Sequence, residues 1–308
     1  MKGYLKVMGK NVKDMYRLGI LASIGYCTIY GFSFMASRIA LMNTSANILL
    51  TIRFTAAMLV MLILAATGLF RIDLKGKPVG KFLLMGLCQP VIYFLAETAG
   101  IQYTNSSFSG LMISLIPIVT VLLSAVFLHE RISLRICGWI MCSVVGVFII
   151  STTQTGSGSI QIKGILYLLI AVVSAAVFYL ISRSAADAFT PFERTFIMMV
   201  MGFVSFTGKA VIQEGADFLP LIRAGVTDPG VMFPVLYLSV ISSVIAFLLQ
   251  NFAITYLDIA TATVFENIIP IVSVVAGVLF LAEPFSVTQL AGIVLILLGV
   301  WKVSTASD

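Results

Sequence analysis

The sequence predicts an all-α integral membrane protein in which ten transmembrane helices form two inverted five-helix repeats around a central cavity. Three observations lead there. About ten stretches are apolar for long enough to cross a bilayer, which takes about 20 residues per helix. With 60% hydrophobic residues, 10% charged residues and a mean hydropathy of +1.09, the 308-residue chain carries more apolar surface than one soluble core can hide. The second half of the chain also echoes the first at a fixed offset.

A basic leader, residues 1–17, comes first. Lys2, Lys6, Lys10, Lys13 and Arg17 recur at helical spacing among Leu5, Val7, Met8, Val12 and Met15. The pattern fits an amphipathic helix on anionic lipid and fits equally an unstructured tail that sets topology. Spans of the first half follow near Leu18–Leu41, Ile48–Leu69, Phe82–Tyr103, Ser107–Leu128 and Leu134–Thr152. Those of the second lie near Gly164–Ser182, Thr195–Val211, Val231–Tyr256, Ala260–Leu281 and Val287–Val303. Strands are excluded, because barrel strands alternate polar with apolar residues and these runs do not. The first run is a full span, longer than a signal-peptide core, and reads as a retained signal anchor. With the N-terminus cytoplasmic, 14 Lys and Arg fall on the cytoplasmic side and 4 on the outer side. That asymmetry places both termini in the cytoplasm, in a multi-pass protein of the cell (plasma or inner) membrane.

Composition also narrows function. The +6 charge is dispersed between spans with no aromatic-interleaved patch, so nucleic acid is not an expected partner. Cys27, Cys88, Cys137 and Cys142 sit within apolar runs without metal-ligand spacing, and His129 is the single histidine. No zinc site, structural disulfide or cofactor is expected. No nucleophile–base pair and no phosphate-binding glycine loop appears, so the chain does not read as an enzyme or an ATPase. The expected partners are a small-molecule substrate and the lipid bilayer, and the sequence is compatible with a homodimer.

The repeat is read at an offset of 153 residues, where Tyr103 meets Tyr256, Pro117 meets Pro270, Glu130 meets Glu283, Ser133 meets Ser286 and Gly146 meets Gly299. "IPIVTV" from Ile116 meets "IPIVSV" from Ile269. Five spans is an odd number, so the second copy enters the membrane from the opposite side. Inverted copies that meet around a midplane site are a recurring plan of secondary transporters.

The same residues carry a family likeness. "YTNSSFSGLMISLIPIVTVLLSAVFLHERISLRICGWIMCSVVGVFII" from Tyr103 and "YLDIATATVFENIIPIVSVVAGVLFLAEPFSVTQLAGIVLILLGV" from Tyr256 resemble the end of an EamA domain. "YGFSFMASRIAL" from Tyr30 and "ILLTIRFTAA" around Arg53 resemble its beginning. The chain thus resembles the drug/metabolite transporter superfamily in its ten-span form, as an EamA repeat over 18–153 and an inverted one over 160–303. The resemblance implies a basket of helices around a central cavity and movement of amino acids, metabolites or drugs without ATP. Two departures stand out: the usual Trp–Gly of the first span reads Tyr30–Gly31, and the second half has no counterpart of Arg53 nearer than Arg194.

Polar groups inside spans are the candidate site, since a central carboxylate costs about 3 kcal/mol in lipid. Glu97 and Arg53 enter from the outer side and read either as a pair locking two helices or as a cavity carboxylate beside a cation. Glu266, followed by Asn267, forms an inner polar level with Gln250, Asn251 and Arg194, so that two polar gates would flank an amphipathic site. Tyr30, Tyr93 and Tyr179 are candidate cavity aromatics. Pro117, Pro270 and Pro90 should kink their helices. Glu130 with Ser133 and Glu283 with Ser286 read as structural loop caps for the helix that follows each. Gly138, Gly146 and Gly299 read as sites of close helix approach. The function expected is secondary transport of small organic solutes by alternating access, in efflux and coupled to protons. Flippase-type handling of a lipid-linked substrate, and uptake or exchange of metabolites, are the alternatives.

Overall fold

The computed structural model describes residues 12–68, 72–73, 76–128, 134–153, 160–257, 265–283 and 285–306, which form helices and short turns with no strand among them. Helix α1 (Val12–Leu41) takes in the last residues of the basic leader; the expectations for residues 1–11 lie outside the described residues. Ser45 accepts the Ile48 N–H at 3.3 Å and starts α2 (Ala46–Ala66). The next segment is discontinuous: α3 (Val79–Gly86), a π-helical stretch Leu87–Ile92, then α4 (Tyr93–Gln102). Gln89 leaves the helical region there (φ −141°, ψ 114°) and the Gln89–Pro90 peptide is cis. Then come α5 (Ser106–Ile113), α6 (Ile116–Leu128) and α7 (Leu134–Thr153).

The second half opens with α8 (Ile162–Ala185). A capping box, Thr190 with Glu193 around Pro191, starts α9 (Pro191–Glu214). Then follow α10 (Phe218–Thr227), α11 (Pro229–Leu236), a π-helical stretch Tyr237–Ile245 and α12 (Ala246–Tyr256). A 3-10 turn, Phe265–Asn267, leads into α13 (Ile268–Leu281), and α14 (Val287–Ala306) ends the described chain. Among the described residues seven stretches are long and apolar enough to cross a membrane: Asp14–Leu41, Ala46–Ala66, Gly80–Gln102, Ser106–Leu123, Ile162–Ala185, Pro191–Thr227 and Pro229–Tyr256. Three apolar helices are shorter, Cys137–Ile150, Phe265–Leu281 and Val287–Lys302. Phe148, Ile212, Phe233 and Leu279 stand out from the surface, as side chains solvated by lipid do.

Pro90 sits at the break in its segment, as a kinking proline should, whereas Pro117 and Pro270 behave differently from the expected mid-helix kinks. Pro117 is the second residue of α6, after a turn at Ser114–Leu115, and Pro270 is the third residue of α13. The first N–H groups of a helix have no partner within it, so a proline there removes nothing. Both prolines therefore sit in the first turn of their helices. The π-helical stretch after Pro234 has no counterpart in the expectations.

Packing interleaves the two halves. α1 lies against α12 and α13, and α2 against the Tyr237–Ile245 stretch. In return α8 lies against α4 and α6, and α9 against α3 and the Leu87–Ile92 stretch. α2 and α9 then pack together, as do α5 and α13. α7 and α14 form their own close pair. A Cβ on Gly146 would come within 2.6 Å of the Gly292 carbonyl, and one on Gly299 within 2.6 Å of the Trp139 carbonyl. The neighbour on α14 thus falls in number as α7 advances, which makes the pair antiparallel. At its middle the Cys142 thiol reaches the Leu295 carbonyl at 3.6 Å and the Ser143 hydroxyl the Ile296 carbonyl at 3.3 Å, each pair 153 residues apart. Gly138 differs from the expectation, since nothing lies within 4 Å of a Cβ there.

Candidate functional site

The discontinuous helices meet at one internal cavity of about 30 Å³, or about 460 Å³ when its crevices and mouth are counted. α1 contributes Tyr30, Ser33 and Phe34, and α2 contributes Arg53. The first π-helical stretch and α4 supply Gln89, Tyr93, Phe94 and Glu97. From the other half come Tyr179, Ser242, Gln250 and Glu266. The enclosed volume is room for a water or two. A solute of amino-acid size enters only if the helices part.

A chain of hydrogen bonds with one direction runs along this wall. The Tyr30 hydroxyl donates to Gln250 Oε1 at 3.0 Å, and Gln250 Nε2 donates to the Tyr179 oxygen at 2.6 Å. Tyr179 in turn donates to Glu266 Oε1. Every donor points toward the carboxylate, and the chain joins helices of both halves. Glu266 is 2% exposed, and its second oxygen has no partner within the protein.

Arg53 is turned away from the expected pairing. Its Nε donates to Ser243 Oγ at 2.8 Å and its Nη2 to Ser242 Oγ at 3.1 Å, while the guanidinium lies 4.2 Å from the centre of the Phe94 ring. The hydroxyls belong to the π-helical stretch of the opposite half, so Arg53 ties α2 across the halves. Glu97 accepts from the Tyr93 hydroxyl at 3.3 Å through Oε1. No Glu97–Arg53 ion pair forms: among the described residues the one ion pair is Lys77–Glu193 at 2.7 Å. The locking pair expected between them is thereby corrected.

The two polar levels also resolve differently from the expected gates. Glu97 and Glu266 face a single cavity. Asn251 lies beside it in a separate network, donating to Thr195 Oγ1 at 3.0 Å and offering its carbonyl to Arg194 Nη2 at 2.6 Å. Arg194 also holds Ser182 and Thr255. Asn267 is half-buried at the start of α13 and is absent from the cavity wall. Cross-half polar clusters occupy the two ends instead. Lys77 and the Asp73 N–H both bond Glu193 at the start of α9, whereas Asn47 bonds Gln213, Glu214 and Lys209 at its end.

Among the expected caps, Glu283 reaches a helix other than the next one. It accepts the Ser106 N–H at 2.9 Å, the Ser107 N–H at 3.0 Å, the Ser106 hydroxyl at 2.7 Å and the Ser107 hydroxyl, so it caps α5 of the first half. Ser286 caps α14 with Gln289 in a reciprocal pair, 3.2 Å and 2.8 Å. Glu130 and Ser133 lie outside the described residues.

Sequence reasoning missed Gln89, Ser242 and Ser243. Gln89 carried a signal, since a lone amide beside a proline within an apolar run needs a reason to be there. The serines carried none, because hydroxyls in apolar helices usually bond their own backbone.

The profile of the EamA-like transporter family matches residues 17–152 and again 162–305. The uncharacterized transporter YcxC of Bacillus subtilis is 30% identical over 296 residues, covering 94% of this chain and 93% of its own. An uncharacterized transporter of Archaeoglobus fulgidus is 27% identical over 277 residues, covering 90% of this chain and 95% of its own. A solved crystal structure superposes with a TM-score of 0.60, covering 96% of this chain and 99% of its own at 17% identity, which is a likeness of fold.

Proposed function

The chain belongs to the EamA-like transporter family, in two copies of its domain, and from that premise we propose a proton-coupled secondary transporter that exports small organic solutes by alternating access. The observation that carries the coupling is the Tyr30–Gln250–Tyr179–Glu266 chain, which ends on a buried carboxylate in a cavity built by both halves. Membrane carboxylates with a hydrogen-bonded path commonly relay protons.

The reading takes the halves as ten crossings in two inverted sets of five, with both termini in the cytoplasm of a cell-membrane protein. The antiparallel α7–α14 pair supports it, because residues 153 apart meet at its centre, as they do on a two-fold axis. So does a matched brace in each half. Arg38 donates to the Ile101 carbonyl at 3.0 Å and Arg183 to the Ile254 carbonyl at 2.7 Å, with the two acceptors 153 apart. On this reading the gates are the clusters at the ends of α9. Releasing Lys77–Glu193 opens one side and releasing Asn47–Glu214 opens the other, while the cavity between them stays in place.

The test is flux in proteoliposomes with and without a pH gradient. An imposed gradient should drive uphill movement in wild type. Glu266→Gln should abolish the gradient-driven component and retain exchange of solute for solute. Gradient-driven flux that survives in Glu266→Gln refutes the coupling role. Labelling that finds the two halves facing the same way refutes the inverted plan.

A further inference from the structure

Three buried acceptor oxygens of the cavity residues have no hydrogen-bond partner among the described residues: Gln89 Oε1, Glu97 Oε2 and Glu266 Oε2. Gln89 and Glu97 are each 5% exposed and Glu266 is 2% exposed, so water does not satisfy them from outside. A buried acceptor without a donor is costly and calls for one, from an enclosed water or from a solute that displaces it. Several donors of the same wall are already committed. Arg53 gives its Nε–H and one Nη2–H to Ser243 and Ser242 and lays its face on Phe94, while Tyr93, Tyr179 and Tyr30 each donate their single O–H to another wall residue. The three oxygens left without a donor are what the phenols and the bonded edge of Arg53 do not serve.

Charge points the same way. With both carboxylates ionised, Arg53 leaves the cavity one negative charge in excess. The other titratable groups facing it are phenols and a thiol, Tyr30, Tyr93 and Tyr179 on the wall with Tyr26 and Cys27 behind Glu266. Arg194 is engaged elsewhere, with Ser182, Asn251 and Thr255. One monocation or one proton therefore neutralises the site. The rest of the wall is apolar, from Phe34, Phe94, Ile113, Ile116 and Ile269.

We propose that the solute is a monovalent organic ammonium with at least two N–H donors and a compact apolar body, held by Gln89, Glu97 and Glu266 and exchanged for one proton. The inference rests on reading this cavity as the transport site. Gln89 is assigned as a direct solute ligand through its amide oxygen. In the exchange, a carboxyl O–H loses its proton to the aqueous side as the ammonium arrives, and the ammonium keeps its own N–H bonds.

The experiment measures binding to the purified full-length protein in detergent by calorimetry, with four probes of one shape. Benzylammonium carries charge and N–H donors; benzyltrimethylammonium carries the charge alone; benzyl alcohol is neutral; benzoate is an anion. Benzylammonium should bind at least about 10-fold more tightly than each of the others. Its binding should release protons into weak buffer. Gln89→Leu should weaken benzylammonium about 10-fold and leave benzyltrimethylammonium unchanged. Equal binding of the trimethyl form, the alcohol or the anion overturns the proposal, as does a failure of all four to bind, and these comparisons need no variant to fold. Flux separates the two readings. Proteoliposomes that move a neutral or anionic solute and refuse benzylammonium overturn the ammonium assignment and leave transport standing. Selective binding of benzylammonium without flux upholds the assignment and overturns transport.

Discussion

Replacing Glu283 by alanine removes a cap that one half of the chain supplies to the other. The carboxylate holds two backbone N–H groups, at 2.9 and 3.0 Å, and two hydroxyls at the start of α5. Hydrogen bonds to a charged group contribute about 1.5–3 kcal/mol each when isolated. The sum overstates the loss, because Asn105 still caps the Phe108 N–H at 2.8 Å and Glu283 is itself half-exposed to screening. A cap with its macrodipole contribution is worth about 1–2 kcal/mol, and the two orphaned hydroxyls add about 1 more. Glu283→Ala should therefore cost about 2–3 kcal/mol, the upper end applying if both hydroxyls stay unpaired. Glu283→Gln keeps one acceptor oxygen and should cost about half as much. At about 2 °C per kcal/mol for a chain of this size, the alanine variant should melt about 4–6 °C lower. Thermal unfolding in detergent, followed by circular dichroism, measures it, with urea titration in mixed micelles as a second reading. An alanine variant within about 0.5 kcal/mol of wild type refutes the capping argument.

Three further outcomes follow from local geometry. Ala282 ends α13 in the left-handed region (φ 50°, ψ 35°), so Ala282→Gly should raise stability by about 0.5–1 kcal/mol in the same melts. Gly146→Ala and Gly299→Ala each drive a methyl onto a facing carbonyl and should cost about 1–3 kcal/mol, whereas Gly138→Ala meets open space and should be neutral or stabilising. Arg53→Lys keeps the charge but loses the forked contact to Ser242 and Ser243 and the stack on Phe94. Solute flux should fall about 10-fold or more in a variant that still purifies as folded protein.

The apolar runs and the 153-residue echo were legible because the bilayer penalises every exposed polar group, so the solvent writes its demands into composition. Glu97, Glu266 and Gln250 stood out for the same reason, and all three face the cavity. The partners did not stand out. Arg53 and Glu97 enter at similar depth, but depth does not fix the azimuth of a side chain, and Arg53 turns toward serines supplied by the other half. Glu283 looked like a cap for the helix three residues on. Its true helix begins at Ser106, nearly 180 residues away in sequence, and only the packing of α13 on α5 brings the two together. Pro117 and Pro270 misled, where Pro90 did not, because sequence shows where a backbone donor is missing and not whether the helix bends or begins there.

The interleaved packing means that neither domain copy is a folding unit, even though each is a sequence unit. α1 and α2 rest on α12, α13 and the Tyr237–Ile245 stretch, and α8 and α9 rest on α4, α6 and the Leu87–Ile92 stretch. A fragment ending at residue 153 would carry its first two helices with their main supports missing. Severing the connection between α7 and α8 while supplying both pieces removes none of those supports, so two complementary fragments made together should reassemble where either one alone is degraded.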